Sequence, residues 1–327
     1  MAVVAKARTA KALDLSRPSQ SLWADALHRL ARNKAAVAGM VIIAFFILIA
    51  IFASVLVPHN PLQIHDGQDY LPPVWVKQSP TGKVGNPQFL LGTDTIGRDL
   101  LSRVMYGSRV SMVVGLIPVT IILLLGTTIG MFSGYVGGWV DNVVMRITDV
   151  FYAFPNLLFY IILMITLRDT AIGRLLNGLF LLFVALAVVS WVGVARLVRG
   201  SVLALKEKEF IEAARCIGAS SPRIMIRHVL PNVLSPIVVW VAFAIPNTIV
   251  AEAILGYLGL GLRPATDPKA FFITSWGVSM LEGQTAINVQ PWILFAPSLC
   301  VGLIVLAFTF VGDGLRDALD PRMRGTQ

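Results

Sequence analysis

Residues 110–140 read VSMVVGLIPVTIILLLGTTIGMFSGYVGGWV, with no charged side chain among them. A helix needs about 20 apolar residues to cross the hydrocarbon core of a bilayer. This run is long enough to span with residues to spare. Working outward, five further runs have the same character. Ala35 to Val57 precedes it, and Val150 to Leu167, Leu175 to Ala195, Val229 to Ala251 and Trp292 to Gly312 follow. The reading is an all-α integral membrane protein with six transmembrane helices. An even number of spans puts both termini on one side.

Composition agrees. Hydrophobic residues make up 56% of the 327 positions and charged residues only 14%, against about 25% charged in ordinary soluble domains. This excludes a soluble globular enzyme, a disordered protein and a disulfide scaffold. Two cysteines, Cys216 and Cys300, make neither a metal cluster nor a disulfide framework. The net charge of +9 does not point to nucleic acid, because the basic residues flank apolar runs instead of forming one patch. In membrane proteins such an excess reports topology. With the N-terminus inside, segments 1–34, 136–149, 196–228 and 313–327 carry 18 Lys and Arg, and the outside segments 58–109, 168–174 and 263–291 carry 9. The twofold bias places both ends in the cytoplasm.

The polar leader and the first apolar run are both too long for a cleaved signal peptide, and no A-x-A site follows. The first span, 35–57, therefore reads as an uncleaved anchor. Residues 1–18 read as disordered. From Ser21 onward, Leu22, Trp23, Ala26, Leu27 and Leu30 share one helical face, the pattern of an interfacial amphipathic helix. The chain thus divides into a cytoplasmic segment 1–34, the span 35–57, an extracytoplasmic loop 58–109, a five-helix core 110–312 and a tail 313–327.

No phosphate-binding loop, H-E-x-x-H, C-x-x-C or G-x-S-x-G motif is present. His28, His59, His65 and His228 are scattered, and His59 and His65 read as polar residues of a long loop. Chemistry that uses energy must come from another chain. The informative polar stretch is the loop 196–234, within ARLVRGSVLALKEKEFIEAARCIGASSPRIMIRHVLPNVLSP (195–236). Phe210, Ile211, Ala214 and Ile217 fall at helical spacing. Gly218 follows, where a left-handed residue ends a helix. Ser221 reads as an N-cap with Pro222 at N1 of a second helix. Such a hairpin is too apolar to lie bare in water. Either it packs on its own membrane domain or it meets a partner, whose backbone Ala213 and Ala214 would admit closely.

Glu212-Ala213-Ala214, Gly218, Leu230 and Pro231 match E-A-A-x3-G-x9-I-x-L-P, with His228 at the Ile position. This resembles the EAA loop of ABC importer permeases. Residues 91–111 (LGTDTIGRDLLSRVMYGSRVS), 137–155 (GGWVDNVVMRITDVFYAFP), 251–262 (AEAILGYLGLGL) and Ser275-Trp276-Gly277 resemble the DppC/OppC-like branch of dipeptide, oligopeptide and nickel permeases. The resemblance runs from about residue 20 to the end. It implies a type I, MetI-like permease bundle in the bacterial cytoplasmic membrane. It implies that Glu212, Ala213, Ala214 and Gly218 couple to a cytoplasmic ATPase, with Leu230 and Pro231 fixing the return to span five. It also implies a related second permease chain, two ATPase subunits that bind ATP and Mg, and an extracytoplasmic binding protein. The chain itself would hold no cofactor or metal and hydrolyse nothing. The transported solute would be a peptide or a related small molecule.

Other residues carry separate expectations. Gly126, Gly130, Gly134 and Gly138 recur every fourth position, a stripe for close helix packing. Glu252 is the one carboxylate deep in an apolar segment, where charge is expensive. It should face water, the translocation pathway or a partner, or else bond a neighbouring helix. Arg146 and Asp149 read as a local ion pair. Asp99 and Arg103 support a helix on the outer surface ahead of span two, where a binding protein would dock. An ion-gradient carrier is the alternative; it would show inverted repeats and ionisable groups at mid-membrane, and only Glu252 qualifies. An intramembrane enzyme would need a convergent catalytic set, and none is visible.

Overall fold

The computed structural model describes residues 22–267 and 269–319, with the side chains of Leu22 and Trp23 left aside. The expectation of disorder over residues 1–18 falls outside them, as do residues 320–327 of the tail. Among the described residues the chain is helical, with a single isolated bridge, Thr93 to Asp99, and no strand. The helices are α1 (Leu22–Arg32), α2 (Lys34–Leu56), α3 (Leu100–Val136), α4 (Gly138–Ala153), α5 (Asn156–Leu167), α6 (Ala171–Arg174), α7 (Leu179–Lys206), α8 (Glu209–Cys216), α9 (Ser221–Ile224), α10 (Leu230–Tyr257), α11 (Trp276–Thr285) and α12 (Trp292–Leu319).

Among the described residues, five helical segments are long and apolar enough to cross a membrane, and α4 with α5 makes a sixth only as a bent pair. The expected third span, 150–167, is therefore not one straight helix. The chain turns by 83° between α4 and α5. Pro155 cannot donate to the helix ladder, and it drives Phe154 into extended backbone (φ −91°, ψ 136°). The fourth span also starts later than its apolar run. Leu176 and Asn177 adopt left-handed backbone, and α7 begins at Leu179.

α3 and α7 form the central pair. A Cβ at Gly126 would lie 2.6 Å from Val194 Cβ and 2.7 Å from the Trp191 carbonyl oxygen. Gly130 sits at least as tightly on the Ala195 backbone, and Gly134 is looser, with a Cβ there 3.1 Å from the Arg199 carbonyl oxygen and from Val202 Cβ. The expected stripe thus seats α3 on α7 through three of its four members. Gly138 lies past the end of α3 with open space beside it. α2 packs on α12, where a Cβ at Gly39 would meet the Ala307 carbonyl oxygen at 2.5 Å. Asn33 caps α2 by accepting from Ala35 and Ala36 N–H at 3.0 and 3.2 Å. α1 buries Ala26 and Leu30 and leaves Leu27 exposed, so its apolar face is divided between the bundle and the surroundings.

The expected surface helix before span two does not exist as a separate element. Asp99 is the N-cap of α3, accepting from Ser102 N–H at 3.0 Å. The helix runs from Leu100 straight into the span. Residues 57–99 fold without regular secondary structure over this end of the bundle. Buried charges pin them there. Arg98 donates to Asp94 at 2.6 Å and to Glu282 of α11 at 2.9 Å. Arg103 lies between the same two carboxylates. Trp276 of α11 donates to the Val104 carbonyl at 2.9 Å. On the loop surface, the Lys83 ammonium at 3.0 Å holds the Asp69 carboxyl below the usual carboxylate range. His59 and His65 stack edge to face and both pack on Phe89. No group of three or more His, Cys, Asp or Glu side chains among the described residues could hold a metal ion.

Candidate functional site

The hairpin that joins α7 to α10 comprises α8, a left-handed glycine, α9 and a π-helical turn over Met225–Val229. Gly218 has φ +82°, the conformation that ends α8 and that a side chain would strain. Ser220, not Ser221, stands at the N-cap of α9, and its side chain makes no capping bond. Pro222 begins the helix one residue in, where its missing N–H is not needed.

This hairpin is two-sided. Ile211, Ala214, Ile224 and Val229 are buried in one cluster with Val198 and Val202 of α7 and Val233 of α10. The opposite side is bare. Phe210, Glu212, Ala213 and Gly218 are exposed, Ile217 is 86% exposed and Ile226 64%. The packing of the loop on its own membrane domain is seen on one face, and the other face is left free. Of the two alanines, Ala213 is on the bare face and Ala214 is buried. Leu230 is half-buried and Pro231 is exposed at the first turn of α10. Beside the bare face lies a small polar cleft bordered by Lys206, Glu207, Glu212 and Arg215.

Toward the ends of the spans that carry this hairpin, ion pairs that sequence spacing did not reveal tie the helices together. Asp149 pairs with Arg196 of α7 at 2.7 Å and not with Arg146. Asp141 accepts from Arg199 at 2.6 and 2.5 Å and from Ser133 at 2.5 Å. Local i, i+3 spacing offers a pair, but a neighbouring helix brought in by the glycine stripe takes it.

Between the bent α4–α5 pair, α7 and α10 is a concavity of about 600 Å³. Its walls are mainly apolar and aromatic, with Trp240 from α10 among them. Its polar members are Asn156, the hydrogen-bonded pair Tyr160 and Ser190 (2.8 Å), Asn247 and Thr248. Asn156 and Asn247 are exposed. Sequence reading missed these two. The available signal was a polar amide inside an otherwise apolar span, and such groups face a bundle interior or a water-filled cavity.

Glu252 lies elsewhere. It is fully buried, outside the walls of this concavity, and neither carboxylate oxygen has a hydrogen bond among the described residues. The expectation that it faces water or the pathway is corrected by the packing of α11. A Cβ at Gly256 would fall 2.8 Å from Gly277 Cα. This bare contact lays the start of α11 directly on α10 and encloses the carboxylate.

Comparison with known proteins now adds to this geometry. Residues 126–325 match the family model described as binding-protein-dependent transport system inner membrane component. The chain belongs to that family. Residues 21–73 of this permease also match the N-terminal TM domain of oligopeptide transport permease C. It is 38% identical over 311 residues to the oligopeptide transport system permease protein OppC of Haemophilus influenzae, covering 95% of this chain and 92% of that one. It is 38% identical over 306 residues to the dipeptide transport system permease protein DppC of Alkalihalophilus pseudofirmus, covering 93% and 91%. It is 35% identical over 302 residues to the glutathione transport system permease protein GsiD of Pectobacterium atrosepticum, covering 92% of each. Among solved structures, a chain of the inward-facing MetNI methionine ABC transporter shares the fold, with a TM-score of 0.50 and 18% identity over 68% of this chain and 96% of that one. The chain is a permease subunit of an ABC importer, and the ion-gradient carrier is set aside.

Proposed function

We propose that this permease forms one half of the translocation pathway of a bacterial peptide importer. It takes its drive from cytoplasmic ATPases through the α8–α9 hairpin. The reading rests on one observation: α8 is anchored by Ile211 and Ala214 while Phe210, Glu212, Ala213 and Ile217 stand bare on its far side. A lever needs both faces, one fixed to the spans and one free for the motor. A rigid-body movement of a docked ATPase would pass through the buried cluster to α7 and α10, which wall the concavity. The chain is non-catalytic in this scheme, and ATP and Mg belong to the ATPase subunits.

A second, related permease would face the open concavity and close the pathway as a heterodimer. Two ATPase subunits would dock on the two hairpins, and a substrate-binding protein would dock over residues 58–99 and the 263–291 loop. Both termini lie in the cytoplasm in this arrangement. Relatives named for oligopeptide, dipeptide and glutathione transport support a short peptide as the solute. Asn156, Asn247 and the Tyr160–Ser190 pair are the pathway groups suited to a peptide backbone, since each can donate and accept.

The test is co-purification of the solubilised wild type beside Glu212→Lys combined with Gly218→Trp. ATPase subunits should accompany the wild type and be lost from the variant. Absence of any ATPase from the folded wild type would overturn the coupling reading.

A further inference from the structure

A second concavity shares no lining residue with the first. It runs between α2, α3 and α10, holds about 500 Å³ and is walled by apolar side chains such as Ile47, Ile51, Met112, Leu116 and Ile249. Its one charged member is Arg109. Ile51 and Leu116 are 60% and 63% exposed along its mouth.

Arg109 differs from the paired arginines. Arg98, Arg103, Arg196, Arg199 and Arg263 each meet a carboxylate. Arg109 is 5% exposed and has no ion pair among the described residues. Its Nε–H donates to the Ala50 carbonyl at 2.8 Å, and its guanidinium carbon lies 4.6 Å from the ring centroids of both Tyr106 and Phe271. Two rings and a carbonyl hold the group, and none of the three carries a formal charge. Arginine has five N–H donors, and here one is used. The cation is fixed in place and electrically uncompensated, at the end of a groove that only a hydrocarbon would fill.

Ala50 sits six residues before the end of α2, about 9 Å along a helix at 1.5 Å per residue. Arg109 is therefore near the end of the spans that carries the 57–99 loop, within reach of a headgroup drawn inward. We propose that this groove is a phospholipid site, with one acyl chain lying against α2, α3 and α10 and the lipid phosphate on the Arg109 guanidinium. Charge complementarity selects the occupant. A partner helix packed into the groove would fill the apolar walls and leave the cation unmatched, and a free phosphate would leave the walls empty. A phosphodiester accepts two N–H bonds from one guanidinium, the geometry that arginine favours. An anionic phospholipid is preferred, because it brings no cation of its own. The site stands apart from the peptide-import reading and does not depend on it.

The experiment uses the full complex in nanodiscs of phosphatidylglycerol and phosphatidylcholine, with p-benzoylphenylalanine in place of Leu116 at the groove mouth. After illumination, mass spectrometry identifies what is attached. A phosphatidylglycerol adduct is expected. It should fall at least tenfold in an Arg109→Gln background and at least fivefold with Ile117→Trp, which narrows the groove from its exposed side without touching the cation. Added dioleoylglycerol, which has chains and no phosphate, should not compete, and neither should inorganic phosphate. Attachment to another polypeptide overturns the proposal. So does a lipid adduct unchanged by either substitution, or one displaced equally by dioleoylglycerol. If Arg109→Gln does not accumulate, the Ile117→Trp and competition arms still decide.

Discussion

Arg103 donates to both carboxylate oxygens of Glu282 at 2.8 Å, although 179 residues separate them. The pair joins the first turn of α3 to α11, and Arg103 is almost wholly buried. Asp94 lies 3.4 Å from the same guanidinium and 2.6 Å from that of Arg98. Removing one partner of a buried pair costs about 3–5 kcal/mol, because the other charge is left uncompensated. Asp94→Ala should reach that range. It removes one carboxylate partner from each arginine and also leaves without an acceptor the Ile96 and Arg98 N–H groups that bond the carboxylate. Glu282→Ala should cost about half as much, since Glu282 is partly exposed and Asp94 is fully buried and alone accepts the two backbone N–H groups. Thermal unfolding of the purified variants checks the order, and a larger loss for Glu282→Ala would contradict this account.

The glycine stripe makes a different prediction. Gly126→Ala and Gly130→Ala each insert a methyl group where α7 backbone already stands. Overpacking of this kind costs about 1–3 kcal/mol. Gly302→Ala in α12 meets nothing within 4 Å and removes only glycine's backbone freedom, so it should be neutral or stabilise by up to about 1 kcal/mol. Unfolding temperatures measured in one detergent would separate the two classes. Equal effects would mean that α3 and α7 can part without loss.

These contacts also show what the sequence could and could not convey. The charge-free runs specify spans, because the bilayer tolerates no other arrangement of their backbone. Residues 110–140 and 35–57 accordingly appear as helix almost throughout. Gly218 was legible because a left-handed terminus has a local chemical signature. The kink at Phe154 was hidden inside an apolar run, although Pro155 marked it. Ion pairing was misread wherever it depends on a second helix. Asp149 has Arg146 in range on its own helix yet pairs with Arg196, a choice made by helix packing. Glu252 was read from its depth in a span alone. Its enclosure depends on the contact of Gly256 with Gly277, which no local pattern announces.

Adjacent alanines on α8 should behave in opposite ways. Ala214 is buried against the cluster that contains Ile211 and Ile224, whereas Ala213 is exposed. Ala214→Trp should lower the unfolding temperature, by an amount equivalent to about 1–3 kcal/mol. Ala213→Trp should leave it unchanged, within the roughly 0.5 kcal/mol typical of surface positions. Transport-coupled ATP hydrolysis by the assembled complex should fall at least tenfold with Ala213→Trp. A stable Ala213→Trp protein with full coupled hydrolysis would remove that face of α8 from the coupling scheme.

Asn156 and Asn247 give the pathway its test. Both line the 600 Å³ concavity, from the start of α5 and from the middle of α10. Neither side chain makes a hydrogen bond within the described residues, so neither is needed to hold the fold. Asn156→Leu and Asn247→Leu should therefore unfold close to the wild-type temperature, within the roughly 0.5 kcal/mol typical of exposed positions. Peptide uptake should nevertheless drop. Each lost hydrogen bond to a passing peptide is worth about 0.5–1.5 kcal/mol, or roughly a 2- to 12-fold change. Uptake of a labelled dipeptide into proteoliposomes, with ATP hydrolysis followed in parallel, distinguishes the outcomes. Lower uptake with hydrolysis and ATPase association retained assigns the concavity to the solute. Unchanged uptake in the double variant would make this surface a packing face for the second permease, and the solute path would lie elsewhere on the chain.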